Sequence, residues 1–113
     1  MKDLREINGK TLELGNKDYT VLLCPGLTDE TDDLGNINYR RQIINIDASL
    51  PERPREMLEI LLHEVQHGLN ERFGLTRLKD EETFTTQQAI ALSTVLLRNR
   101  WLVDFINLAA KAA

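Results

Sequence analysis

His63-Glu64-Val65-Gln66-His67 is the segment of this chain whose residue types and spacing could by themselves do chemistry. Positions i and i+4 of an α-helix lie one above the other, so the two imidazoles can converge on one tetrahedral metal ion. Glu64, turned about 100° round the axis, reaches instead toward a water at that metal, where a general base is needed. The chain has no other histidine. With Leu58 at 0°, Leu61, Leu62, Val65 and Leu69 fall within about 60° of it, an apolar stripe wide enough to face a core. His63 and His67 lie toward the opposite side, while Ile60 and Glu64 share a half of the helix suited to the floor of a cleft. The pattern predicts a metal site on a helix surface rather than a pair of core histidines.

A catalytic zinc takes three protein ligands and keeps a fourth position open, so two histidines are not enough. The extended pattern with a third histidine is excluded, because Asn70 and Phe73 stand where Gly and His would be required. Asp80-Glu81-Glu82 opens a second helix at a distance suited to folding back on the first. Acids in a first turn also favour the positive end of the helix dipole, so facing must separate them. Glu82 shares its side with Thr86, Ala89 and Ser93, small residues that let helices approach closely, whereas Glu81 leans toward Phe84, Leu92 and Val95. Glu82 is the expected third ligand and Glu81 the alternative. The expected cofactor is one Zn²⁺ per chain, with Glu64 carrying a proton from water to a leaving amine. An oxyanion needs donors as well, and Tyr39, Arg40 or Arg41 could supply them.

The elements that must position these groups can be read from punctuation and periodicity. Tyr19 to Cys24 is rich in β-formers and closed by Pro25-Gly26, so it reads as a first strand. Thr28 to Asp33 reads as a solvated acidic loop whose charges are structural filler. Leu34 to Tyr39 and Gln42 to Asp47 form a hairpin about Arg40-Arg41, with Ile37 and Tyr39, then Ile44 and Ile46, alternating toward a core. That hairpin could present an edge strand to an extended peptide. Ser49 and Glu52 suggest a capping box, and the helix carrying the histidines should run from about Pro51 to Arg72 and stop at Gly74. A second helix begins near Asp80 or Glu81, with Phe84, Gln88, Ala91, Leu92 and Val95 inward. A last helix spans Trp101 to Ala112 after a break at Asn99-Arg100. Cys24 reads as a small apolar residue ending a strand.

Length and charge bound the rest. One ordinary domain is expected over residues 1–113, with a modest core. Fourteen basic against eighteen acidic residues give a net charge of -4, which disfavours direct nucleic-acid binding. Neither a signal peptide nor a membrane span is expected, and a single cysteine suits a reducing cytoplasm.

From about Tyr19 to Leu102 the chain resembles the small zinc-peptidase-like proteins of bacteriophages and mobile elements, related to the ImmA/IrrE type of metallopeptidase within the gluzincins. The resemblance rests on Ile43-Ile44-Asn45-Ile46-Asp47, Ser49-Leu50-Pro51-Glu52-Arg53, His63 to Leu69, Phe73-Gly74-Leu75 and the acid-led helix through Ala91 to Leu96. It implies an α+β, minimal zincin-like fold, with a small antiparallel sheet of about three strands on about three helices. It further implies His63 and His67 as ligands, Glu64 as catalytic acid and base, and a peptide or protein substrate. The competing expectation is a metal-containing module that binds a protein partner with little or no hydrolysis. A helical protein with an empty histidine pair is the weakest.

Overall fold

The computed structural model describes residues 1–113. Its sheet starts earlier than the sequence suggests, with a hairpin of β1 (Thr11–Leu14) and β2 (Lys17–Cys24). Gly15 and Asn16 join them at φ 54° and 71°, the two positive values that a two-residue turn of type I′ requires. The Gly-Asn pair between Thr-Leu-Glu-Leu and Lys-Asp-Tyr-Thr was the available signal. After β2 a short helix α1 (Leu27–Thr31) occupies part of the expected acidic loop, burying Leu27. The one hairpin expected from the sequence follows, as β3 (Gly35–Asn38) antiparallel to β4 (Ile43–Asp47).

The sheet order is β1-β2-β4-β3, four strands rather than three, and mixed rather than purely antiparallel because β4 runs parallel to β2. Parallel neighbours need a long connection, and the stretch from Pro25 to Gln42, containing α1 and β3, provides it. Val21 and Leu23 stand beside Ile44 and Ile46 in the register, and Leu12, Leu14, Tyr19, Val21, Ile44 and Ile46 are buried.

A 3-10 turn (Leu50–Glu52) precedes α2 (Pro54–Phe73), which carries both histidines. The capping box does not form, since the Ser49 N–H and hydroxyl both donate to Asp47 Oδ1, at 2.9 and 2.7 Å. Nor does the helix run through from Pro51. Pro54 drives Arg53 out of the helical region, to φ -128° and ψ 74°, so the helix starts afresh there. It ends as expected on Gly74, left-handed at φ 62°. Met57, Leu61, Val65 and Leu69 make its buried stripe, while Leu62, placed inward by the sequence, is 39% exposed.

Helix α3 (Glu81–Arg98) is capped by Asp80, whose carboxylate accepts from the Thr83 N–H at 2.8 Å. Ala91 and Val95 are buried, Phe84 and Gln88 half-buried, and Leu92 exposed. Asn99 makes the break before α4 (Arg100–Ala112), which sets Leu102, Phe105 and Ala109 against the core at helical spacing. The Asn99 amide group bonds both backbone groups of Glu13, and the Trp101 indole N–H donates to the Thr11 carbonyl at 2.8 Å. The outer edge of β1 is thereby covered. The other edge, β3, borders the histidines. No helix is long and apolar enough to cross a membrane.

Candidate metal centre

The i, i+4 spacing on α2 does what the sequence requires of it. His63 Nε2 and His67 Nε2 stand 3.1 Å apart, with ring centroids 4.7 Å apart and planes at 80°. Two nitrogens at tetrahedral corners of a zinc, each bonded at about 2.0–2.1 Å, would be separated by about 3.3 Å. The pair therefore fits two corners of such an ion, and both rings are exposed to receive it.

Glu64 is 6% exposed, and no hydrogen bond or ion pair within the chain engages its carboxylate; the one buried side-chain polar atom left without a hydrogen bond is the Tyr19 hydroxyl. Burial pushes its carboxyl above the ordinary value; His63 and His67 pull it back, and Asp33 adds to the rise. Edge strand β3 comes this close because its first residue is Gly35. A Cβ there would lie 2.7 Å from Ile60 Cγ2 and 3.4 Å from Glu64 Cγ. Glu64 thus lies between the histidines and the free edge of the sheet, and it lines a cavity of about 440 Å³ with His63.

Tyr39, in the turn after β3, directs its hydroxyl to the His67 carbonyl at 3.4 Å. Burial, then Glu71 and Glu64, raise its phenol above the ordinary value, so it is a protonated donor at neutral pH. Arg40 and Arg41 are exposed in the same turn.

The structure does not gather the third ligand. Glu82 and Glu81 are exposed in the first turn of α3, and no group of three His, Cys, Asp or Glu side chains forms anywhere in the chain. The cause is where α3 crosses α2. Gln88 Nε2 donates to Gln66 Oε1 at 2.9 Å, which sets that turn of α3 beside the histidines. Glu82 lies about 9 Å of helical rise before it.

Two features were not legible as site residues. Asp32 and Asp33, read as filler, line the same cavity as His63 and Glu64. Their clustering before a strand was visible, but their partner across the fold was not. Asp47 accepts from the N–H and hydroxyl of both Thr28 and Ser49, at 2.7–2.9 Å, holding its carboxyl well below the usual value. This knot ties α1 and the approach to α2 to the end of β4. Comparison with family models, with curated proteins and with solved structures finds no match to this chain.

Proposed function

We propose that this protein is a zinc-dependent endopeptidase working in the cytoplasm, of the phage and mobile-element kind it resembles. The observation that carries the reading is the 3.1 Å separation of the two imidazole nitrogens beside a buried, partnerless Glu64. His63 and His67 would hold the metal, and Glu82 is assigned the third corner. Glu81 and Glu82 are exposed, and because the Asp80 cap on Thr83 and the half-buried Phe84 fix the first turn of α3, bringing Glu82 to the metal requires that turn to shift. When bound there, zinc supplies Lewis acidity, polarising a carbonyl and making water more acidic.

The chain's own groups do the rest. An extended peptide adds to the free edge of β3, which lays its backbone across the histidines. Glu64 takes a proton from the attacking water as the new C–O bond forms, then gives it to the amine nitrogen as the C–N bond breaks. Tyr39 donates to the oxygen on which charge develops. The zinc-loaded wild type should cleave a protein or peptide partner, and Glu64→Gln should keep its zinc and lose that cleavage. A wild type that binds zinc and a protein partner without cutting it supports the second reading, a binding module; the ungathered third ligand is what favours that alternative.

A further inference from the structure

The outward side of α3 is built like an inner one. Five of the eight large apolar residues that the chain exposes lie on α3 or in the first turn of α4: Ile90, Leu92, Leu96, Leu97 and Val103. Scattered singly such residues are ordinary, but these share one helix and the turn that follows it, and Leu97 is 80% exposed. With Ala91 and Val95 turned to the core, a step of about 100° per residue puts Thr86, Ala89, Ile90, Ser93, Leu96 and Leu97 on the opposite side of the helix. No charged residue occurs between Glu82 and Arg98, in a chain of which 28% is charged. The hydroxyls midway along α3 are already engaged, Ser93 donating to the Ala89 carbonyl and Thr94 to the Ile90 carbonyl, so neither proton needs water. An exposed apolar side without charges, its hydroxyls turned onto its own backbone, has the composition of an interface core.

We infer that this face joins a second copy of the chain about a twofold axis near Leu97. What selects a second copy over another occupant is the charge at the end of the face. Leu96, Leu97 and Val103 line a groove of about 420 Å³ with Arg100 and Asp104, and neither charge enters an ion pair within the chain. A twofold axis sets one patch against itself, so a patch carrying one cation and one anion answers its own charges. Arg100 of each copy meets the partner's Asp104, on either side of Leu97 as it enters the other groove. A partner of one sign would leave Arg100 or Asp104 facing a like charge, and an anionic lipid surface would repel Asp104 and a chain of net charge -4. Nothing in this face depends on the peptidase reading, and the two are compatible: Gln88 reaches Gln66 from the other side of α3, so the histidines stay uncovered.

The test is sedimentation equilibrium of the metal-free protein in EDTA, which keeps any metal from bridging the exposed histidines of two copies. A small helical interface holds in the micromolar range, so the average mass should rise from one chain toward two between about 5 and 500 µM. Leu97→Glu should remain monomeric at the top of that range with unchanged far-UV circular dichroism, since the side chain it replaces is in solvent. Arg100→Glu and Asp104→Arg should each weaken association about ten-fold or more by setting like charges face to face, and the two together should restore it. That reciprocal rescue separates a twofold interface from unspecific sticking of an apolar helix. A wild type that stays monomeric overturns the inference, and if it then sediments with phosphatidylcholine and phosphatidylserine vesicles the face belongs to a membrane. Association undiminished in Leu97→Glu, or no rescue in the double variant, overturns it as well.

Discussion

At the scale of single residues, identity and spacing carried the juxtaposition of the two histidines and Glu64 on one helix, and not a third ligand. His63, Glu64 and His67 were legible because a helix converts sequence separation into direction, and no tertiary contact is needed to bring i and i+4 together. The partners across the fold were not. That Gly35 would sit against Glu64, and that Asp33 would share its cavity, depends on where β3 passes α2, which no local pattern encodes. Tyr39 was one of three candidate donors; its hydroxyl meets the His67 carbonyl, while Arg40 and Arg41 are exposed in the same turn. Tyr39→Phe is expected to leave zinc content unchanged and lower kcat about 10²–10³-fold, the cost of losing an oxyanion donor; steady-state kinetics on a cleaved peptide checks it. Asp47 yields a prediction about acid. Its carboxyl is depressed in the folded state, so its stabilising contribution is complete above the unfolded value of about 3.9 and is lost as the pH falls below it. Asp47→Ala should destabilise by about 1–3 kcal/mol at pH 7, because four donors lose their acceptor, and the gap to wild type should narrow below about pH 4. Urea melts at both pH values measure this.

At the scale of elements, the long helices were readable and the sheet only partly so. Apolar periodicity, the acids at Asp80 to Glu82 and the Gly74 stop marked α2 and α3 to within a few residues. The sheet's mixed order was hidden because β2 and β4 pair across a connection containing another strand. The start of α2 was misplaced for a local reason, the constraint of Pro54 on Arg53. Two glycines are structurally required. Gly74→Ala places a Cβ in the left-handed region and should cost roughly 1–2 kcal/mol, read from the thermal midpoint. Gly35→Ala should cost about 1–3 kcal/mol through overpacking on Ile60, and it should also impair cleavage, because β3 must move away from the helix that bears Glu64.

At the scale of the whole molecule, one buried cluster runs from Leu4 through the sheet and α2 to Ala109, so the site helix is held from below by nearly everything the chain can bury. That arrangement leaves the exposed side of α2 open between the free edge of β3 and α3, where the histidines lie. Phe105, fully buried in α4, is central to that support. Phe105→Ala should cost about 3–5 kcal/mol, a large share of the stability of a 13.0 kDa domain, and calorimetry would show it as a lowered unfolding midpoint. The most direct test of the account is the metal content of untagged protein after exposure to zinc and extensive dialysis. The account predicts close to one zinc per chain in the wild type, retained in Glu64→Gln and absent from His63→Ala. Wild-type protein that emerges folded but without bound zinc would contradict it.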